Sequence, residues 1–281
     1  MDRLIETIRL IRPINCLLAM AGVWVGAYLT WFRPYFYAPA IAGLATFLIC
    51  AAGNTVNDIV DIEVDRVNRP NRVLVRGVLT IRYAHVLSII LNGAALLLAI
   101  SVSWDVTVIA LVFIGLLYLY NYIMKKVALV GNIIISFLAG LTFIMGGVAV
   151  DLQFAFELPG PLIGFALAFL FHLVREIVKD VQDIEGDRSA GISTLPQIIG
   201  PQKSLMIVLS VFVVLTVVTF LLVLVGWVGQ MFKIIAIYIV ELPLLAFLIF
   251  LWGNPTQRML SVASSALKAG MVLGIVALVL A

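Results

Sequence analysis

The chain has 281 residues, of which 63% are hydrophobic and only 12% are charged, and its mean hydropathy is +1.17. Soluble domains are about half apolar and about one quarter charged, so this composition excludes a soluble globular protein and indicates a polytopic membrane protein. The formal net charge of +3 gives no reason to expect a nucleic-acid partner.

An amphipathic segment opens the chain, because Leu4, Ile5, Ile8 and Ile11 alternate with charged residues as far as Arg12. We expect this segment to lie at the membrane interface before the first span. Nine apolar runs follow, each near the length of about 20 residues that a helix needs to cross a bilayer. The predicted spans are 13–32, 38–57, 84–103, 105–124, 128–150, 160–179, 204–226, 232–252 and 260–280.

Basic residues are unequally divided between the two sides of this nine-span arrangement. Sixteen of the eighteen fall on the side of the N-terminus, including Lys268 near the start of the ninth span, whereas Arg33 and Lys233 fall on the other. By the positive-inside rule, the N-terminus and the charged loops are predicted to be cytoplasmic and the C-terminus external. We therefore expect an all-α fold, with one transmembrane domain covering residues 1–281 in the cell membrane.

A nine-residue pattern occurs twice, at residues 58–66 and 180–188, and six of its nine positions are identical. Aspartates stand at the first, fourth and eighth positions of both copies: Asp58, Asp61, Asp65 and Asp180, Asp183, Asp187. On a continuous α-helix this spacing places three carboxylates on one face, within an arc of about 60°. Like charges so placed repel one another, so we expect cationic groups opposite them. The equally repeated Glu63 and Glu185 point away from that face.

Two carboxylate triplets at one end of a helical bundle predict a shared, strongly negative site. Hard divalent cations take oxygen ligands, and Mg²⁺ commonly sits between carboxylates and substrate phosphates. The same loops hold many arginines and lysines, a mixture that suits a diphosphate bound by both metal and cations. For each basic residue, a solvated loop position that obeys the positive-inside rule remains an alternative, but that alternative does not explain two in-phase aspartate triplets.

A diphosphate bound where a bundle opens toward lipid suggests a lipid-tailed substrate. Departure of diphosphate from an allylic carbon leaves a carbocation, which aromatic faces such as that of Tyr118 can shelter. Asn15 follows Pro13 in the first span and either reaches the cavity or bonds to another helix. Glu176 lies one turn before the second repeat and either joins its carboxylates or orients Lys179 or an arginine.

The two repeats resemble the aspartate-rich motifs of the UbiA-type intramembrane prenyltransferases. Residues 57–65 are similar to the first motif of that family, N-D-x-x-D-x-x-x-D, and residues 180–187 are similar to the second. Tyr122 and Lys126 resemble its Y-x-x-x-K element. The resemblance covers nearly the whole chain and implies nine helices around a central cavity, two Mg²⁺ ions, and transfer of a prenyl group from its diphosphate.

Carried over position by position, the resemblance implies which residues form the site. The implied metal ligands are Asn57, Asp58, Asp61, Asp65, Asp180, Asp183 and Asp187. Asp61, Asp183, Tyr122 and Lys126 are the implied catalytic residues. Arg72 and Lys126 match positions that hold the diphosphate, and we expect Arg69, Lys125 and Lys179 to join them. Val73, Leu74 and Val75 stand where many members of that family carry a proline close to the arginine, which predicts a different loop shape.

Segments 68–72 and 175–180 most resemble those of the archaeal digeranylgeranylglyceryl phosphate synthases. That resemblance implies a geranylgeranyl diphosphate donor and a lipid phosphate acceptor, geranylgeranylglyceryl phosphate, whose hydroxyl forms the second ether of archaeal membrane lipids. A UbiA-type enzyme with an aromatic acceptor, 4-hydroxybenzoate or naphthoate, remains an alternative. A cation-coupled transporter is disfavoured, because transporters usually place their carboxylates near the bilayer midplane. Nothing in the sequence indicates an oligomeric state.

Overall fold

The computed structural model describes residues 2–30, 36–189, 191 and 193–281, and helices dominate all of these segments. In chain order they are α1 (Asp2–Ile11), α2 (Pro13–Tyr28), α3 (Tyr37–Val60), α4 (Ile62–Asn68), α5 (Ile81–Val102), α6 (Trp104–Tyr122), α7 (Val130–Val150), α8 (Pro161–Gln182), α9 (Ile184–Ser189), α10 (Leu195–Ile199), α11 (Pro201–Val225), α12 (Gln230–Lys233), α13 (Leu242–Gly253) and α14 (Gln257–Val279). A π-helix (Ile234–Glu241) joins α12 to α13.

Eight helical units in the described segments are long and apolar enough to cross a membrane, with α12, the π-helix and α13 forming one unit. Helices α1 and α2 meet at a 47° bend and make a ninth span if they cross together. The prediction of an all-α membrane fold is confirmed in the described segments, and the predicted number of nine spans is reached when α1 and α2 count as one span. The second to ninth predicted spans match their helices to within three residues at each end. The end of the first span at residue 32 and the basic residue Arg33 lie outside the described residues.

Local chemistry sets several helix boundaries. Thr80, Ser103 and Thr256 begin α5, α6 and α14, and each side-chain oxygen accepts a hydrogen bond from a backbone N–H of the first turn. Such caps satisfy backbone groups that a helix end leaves without partners. Pro161 and Pro201 stand in the first turns of α8 and α11, where a missing N–H breaks no helical hydrogen bond.

Helices α2 and α7 pack closely because glycines face each other's backbone. A Cβ added to Gly26 would collide with the carbonyl of Phe143, and one added to Gly146 would collide with the carbonyl of Val23. Small residues allow transmembrane helices to approach to this separation and gain van der Waals contact that lipid cannot replace. This pair forms part of the cavity wall.

Both aspartate repeats interrupt their helix at the same position. Helix α3 gives way to α4 at Asp61, with φ −90° and ψ 9°, and α8 gives way to α9 at Asp183, with φ −95° and ψ 9°. A ψ near zero, instead of about −42° in an α-helix, opens the turn and bends the chain. The prediction that the carboxylates share one face of a continuous helix is therefore wrong.

The two bends direct α4 and α9 toward each other, and these short helices are in contact. Both repeats therefore lie at one end of the bundle, called the motif end below. Under α1, Val73 and Leu74 are buried with Leu10 and Ala84 in a small apolar cluster. The loop after the first repeat is thus anchored by these two apolar residues.

Candidate active site

A central cavity of about 580 Å³ lies among the spans, as the resemblance predicted. Helices α2, α3, α6, α7, α8 and α14 contribute to its wall. Its basic lining residues at the motif end are Arg12, Arg69, Arg72, Arg175 and Lys179, whereas Phe143, Leu215 and Leu278 line apolar parts of the wall. The cavity therefore joins an anion-binding mouth to a space that suits hydrocarbon.

Asp58 is 2% exposed and is bound by two arginines. The Arg72 Nη1 donates to Asp58 Oδ1 at 2.8 Å, and Arg12 pairs with the same oxygen. Arg12 stands at the bend between α1 and α2 with φ 54° and ψ 67°, a left-handed conformation that is uncommon outside glycine. Such conformations often cluster at functional sites. The bend brings into the site an arginine that the sequence analysis had counted only as a topological charge.

Asp61 is held from two sides. Lys125, in the short 3₁₀ turn after α6, pairs with Asp61 Oδ1. The Asn57 Nδ2 donates to Asp61 Oδ2 at 2.8 Å and also reaches Asn121 Oδ1 at 3.1 Å. A metal-ligand candidate is thus neutralised by a lysine of the chain itself.

An ion pair joins the two repeats. Arg69, just after the first repeat, donates through Nη2 to Asp183 Oδ2 of the second at 2.7 Å. Nearby, a Cβ added to Gly186 of α9 would collide with the side-chain amide of Asn68 at the end of α4. Gly186 occupies the position that Val64 has in the first repeat, and its lack of a side chain allows this close approach.

Asp180 accepts a hydrogen bond from Asn132 Nδ2 of α7 at 2.8 Å. Sequence reasoning missed both Asn132 and Asn121. The available signal was an isolated asparagine in an apolar span, since polar groups at membrane depth are costly and usually face a partner or a cavity.

Two aspartates outside the spans have perturbed acidity. Burial raises the pKa of Asp65 to about 6. Burial also raises the pKa of Asp187 to about 7, and the carboxylates of Asp183 and Asp61 add to this effect. A raised carboxyl pKa marks a position where negative charge is insufficiently compensated, so a bound cation is favoured there.

The prediction that cationic groups stand opposite the aspartates is confirmed by the pairs of Arg12 and Arg72 with Asp58, Lys125 with Asp61, and Arg69 with Asp183. Glu63 and Glu185 are both exposed, whereas Asp58 and Asp65 are buried.

The donor set at the motif end fits a hard divalent cation by its chemistry, because it consists of carboxylate and amide oxygens. Within the described part of the chain, no three His, Cys, Asp or Glu side chains are already placed to hold one ion. Lys125 and Arg69 instead contact Asp61 and Asp183. A cation bound to the same carboxylate oxygens would displace these two basic side chains.

Two predicted residues on α6 lie away from the cavity. Tyr122 is 45% exposed and stacks on Tyr118, with ring centroids 6.1 Å apart. The Tyr118 Oη is 3.4 Å from Asn92 Nδ2 of α5, which donates to it. Residues four apart share a helix face, and this face is turned to α5 and the exterior. Tyr120, which points the other way, lines the cavity, so the prediction for Tyr118 is wrong.

The adjacent residues Lys125 and Lys126 also differ in where their side chains lie. Neither lysine is among the residues that line the cavity, but Lys125 has an 8% exposed side chain beside Asp61, whereas Lys126 is exposed. Among the other predicted diphosphate ligands, Arg69, Arg72 and Lys179 line the cavity. The structure thus places Lys125, and neither Tyr122 nor Lys126, at the carboxylates.

Glu176 is buried and accepts hydrogen bonds from Arg175 Nη1 at 2.7 Å and Lys179 Nζ at 2.9 Å. Of its two predicted roles, the structure favours the orientation of these basic residues. Asn15 lines the cavity, and its Oδ1 accepts a hydrogen bond from Lys268 Nζ at 2.9 Å. Lys268 lies midway along the 23-residue α14, so its assignment to the start of the ninth span was wrong.

The chain matches the model of the UbiA prenyltransferase family over residues 15–272. It is 37% identical over 232 residues to a digeranylgeranylglyceryl phosphate synthase from Natronomonas pharaonis, an alignment that covers 81% of this chain and 82% of that protein. A solved structure of a digeranylgeranylglyceryl phosphate synthase in membranes is 32% identical and superimposes with a TM-score of 0.76, covering 99% of this chain and 98% of that one.

The fold is also that of a UbiA homolog from Archaeoglobus fulgidus, whose structure was solved bound to DMAPP and Mg²⁺. The two chains are 17% identical and superimpose with a TM-score of 0.65, over 96% of this chain and 99% of that one.

Proposed function

The chain belongs to the UbiA prenyltransferase family, and from this we propose that it transfers a geranylgeranyl group from geranylgeranyl diphosphate to geranylgeranylglyceryl phosphate. The observation that carries the proposal is the meeting of the two aspartate repeats, joined by Arg69 and Asp183, at the polar mouth of an apolar cavity. The relative from Natronomonas pharaonis, a digeranylgeranylglyceryl phosphate synthase, supports the choice of lipid acceptor.

Two Mg²⁺ ions fit the paired repeats. The residues that would hold them are Asn57, Asp61, Asp65, Asp183 and Asp187. When bound, the ions supply positive charge to the departing diphosphate. Asp58 and Asp180 have a different role in this proposal, because arginines bind the first and Asn132 binds the second. They position those neighbours at the edge of the site.

The chain's own cations complete the diphosphate site. Arg72 and Lys179 line the cavity, and Lys125 and Arg69 become available to phosphate oxygens when the aspartates take metal. Charge-assisted hydrogen bonds of this type are about twice as strong as neutral ones. These four residues therefore stabilise the negative charge that grows on the leaving group.

The reaction exchanges one carbon–oxygen bond for another. The bond between the allylic C1 and the diphosphate oxygen breaks, and its electron pair leaves with the diphosphate. The acceptor hydroxyl oxygen then bonds to C1 to form the ether, and the diphosphate takes up the hydroxyl proton. Tyr120 and Phe171 line the cavity and offer aromatic faces to the carbocation, while the apolar wall excludes water that would quench it.

The proposed orientation places the motif end in the cytoplasm and the C-terminus outside, in the cell membrane. It rests on the excess of basic residues in the loops on the side of the N-terminus. Water-soluble Mg²⁺ and the diphosphate product then enter and leave from the cytoplasm, while both lipid tails stay within the bilayer.

The test is product analysis by mass spectrometry. Purified protein in lipid vesicles receives geranylgeranyl diphosphate and Mg²⁺, together with geranylgeranylglyceryl phosphate and 4-hydroxybenzoate in competition. We expect the diether phosphate as the product. Prenylated 4-hydroxybenzoate as the main product would overturn the assignment of the acceptor, and the absence of any prenylated product would overturn the activity.

A further inference from the structure

Lys268 lies near the middle of a membrane span and pairs with no carboxylate in the part of the chain that the structure describes. It lies halfway along α14, and its Nζ donates to Asn15 Oδ1 of α2 at 2.9 Å. None of the ion pairs found among the described residues involves it. An ionisable residue at this depth is costly and usually faces a cavity or a functional partner. Lys268 faces the central cavity.

A second cation with spare hydrogen-bonding capacity lies on the same cavity wall. Arg175 donates through Nη1 to Glu176 at 2.7 Å, but its Nε is buried without a partner in the described structure. Arg175 and Arg12 line the same cavity as Lys268. Neighbouring cations with unused donors raise the free energy of the protein, and an anion placed among them lowers it.

Two serine hydroxyl groups of α14 extend this set of hydrogen-bond donors. Ser261 and Ser264 line the cavity from the same helix as Lys268, at spacings of seven and four residues. Those spacings place all three side chains on one helix face. Hydroxyl, ammonium and guanidinium groups all donate hydrogen bonds, so together they match the several acceptor oxygens of a phosphate.

The reaction proposed above requires two separate anion sites, because both the donor and the acceptor carry phosphate. Arg69, Arg72 and Lys125 pair with aspartates of the repeats and belong to the first site. Lys268 and Arg175 pair with none of those aspartates among the described residues. The cavity region thus has two separate groups of cationic side chains, and the proposed reaction has two phosphorylated substrates.

We propose that Lys268, with Arg175 and Asn15, binds the phosphate of the lipid acceptor. Its position fixes which end of the glycerol unit points to the allylic carbon, and it selects phosphorylated acceptors over neutral ones. The inference rests on the proposed function and names the acceptor subsite within it.

The first experiment replaces Lys268 by methionine, which retains much of its length and removes its charge. Loss of a hydrogen bond to a charged group weakens binding of the ligand. The KM for geranylgeranylglyceryl phosphate should therefore rise about tenfold to a hundredfold. The KM for geranylgeranyl diphosphate and the Mg²⁺ dependence should not change. Lys268→Arg should recover most of the acceptor affinity. The matched control is Lys203→Met, an exposed lysine outside the cavity lining, which should leave both KM values unchanged.

The second experiment compares acceptors with and without the phosphate. The preference of the wild type for geranylgeranylglyceryl phosphate over geranylgeranylglycerol, as a ratio of kcat/KM, should fall about tenfold to a hundredfold in Lys268→Met. A purely structural role would lower kcat/KM for both acceptors equally and leave that ratio unchanged. An unchanged ratio, or a KM for the donor that rises with that of the acceptor, overturns the proposal.

A binding measurement separates this inference from the proposed function. Geranylgeranylglyceryl phosphate without donor should raise the thermal unfolding temperature of the wild type and not that of Lys268→Met. If the wild type forms no diether but shows this difference, the proposed function fails and the phosphate subsite stands. If the lipid stabilises both proteins equally or neither, the subsite is overturned.

Discussion

At the scale of single residues, several carboxylates of the site are each held by a cation or an amide of the same chain. Arg12 and Arg72 bind Asp58, Lys125 binds Asp61, and Arg69 binds Asp183. The repulsion expected within each repeat is therefore relieved in part before any metal arrives. In the proposed mechanism a bound metal would take carboxylate oxygens of the repeats, and Lys125 and Arg69 would then be free to bind phosphate.

Asp61 and Asp183 give the first prediction. Replacement of either by asparagine should lower kcat/KM for prenyl transfer at least about a hundredfold, since even the loss of groups that only orient metal ligands costs about tenfold to a hundredfold. Initial rates over a range of Mg²⁺ concentrations measure this effect. Glu63→Gln and Glu185→Gln are matched controls from the same repeats, and both side chains are exposed. Near-normal rates in either aspartate variant would contradict the shared site.

The adjacent lysines give the second prediction. Lys125→Met should lower kcat/KM at least about tenfold, because a charge-assisted contact with the carboxylate and then with the diphosphate is lost. Lys126→Met should leave the rate near that of the wild type, since Lys126 is exposed and outside the cavity lining. Steady-state kinetics of the two variants measure the difference. A larger loss in the Lys126 variant would instead support the assignment made from the sequence motif.

Sequence reasoning identified the aspartates because their spacing repeats, but it did not identify which lysine faces them. That choice depends on the 3₁₀ turn from Met124 to Lys126, which directs neighbouring side chains differently. Arg12 was missed because its role depends on a left-handed backbone bend. Asn132 and Lys268 contact residues of other helices, Asp180 and Asn15, and a local pattern carries little information about such pairs.

At the scale of helices, each repeat contains the break between a long membrane span and the short helix that follows it. Hydrophobic runs predicted the second to ninth spans to within three residues because each run has the length of a membrane crossing. The breaks at Asp61 and Asp183 were not predicted, since the spacing of the aspartates is equally compatible with an unbroken helix. Contact between α4 and α9 accompanies the bent conformation, and that contact joins residues far apart in the sequence.

The contact between α4 and α9 gives the third prediction. Gly186→Ala places a methyl group against the amide of Asn68 and should separate the repeats. Overpacking costs about 1–3 kcal/mol, so the apparent affinity for Mg²⁺ should fall about fivefold or more. The Mg²⁺ concentration that gives half-maximal rate measures this change.

Two further variants test the cause of that effect. Asn68→Ala combined with Gly186→Ala removes the obstructing amide and should restore much of the Mg²⁺ affinity. Gly115→Ala adds a methyl group where nothing lies within 4 Å and should have no effect. Failure of the double variant to recover would show that the close approach of Asn68 and Gly186 does not set the spacing of the repeats.

At the scale of the whole molecule, polar chemistry is concentrated at one end of an otherwise apolar bundle. The described cavity has a basic mouth beside the aspartates and apolar walls deeper in the spans. Composition and charge asymmetry were sufficient to predict this general design. They could not predict the cavity's internal lysine, because a positive-inside count treats every basic residue near a span as a loop charge.

The fourth prediction concerns the dependence of the whole reaction on metal. Formation of the diether phosphate by the purified protein should be absent in excess chelator and should return when Mg²⁺ is added beyond the chelator. The physical reason is that the diphosphate leaves with negative charge, which the chain's cations cannot fully compensate while they remain paired with aspartates. The measurement is the initial rate of diether formation against free Mg²⁺ concentration, with geranylgeranyl diphosphate and geranylgeranylglyceryl phosphate at saturation. A rate that rises from zero with Mg²⁺ is the expected result, and full activity in excess chelator would contradict a metal-dependent site built from the two repeats.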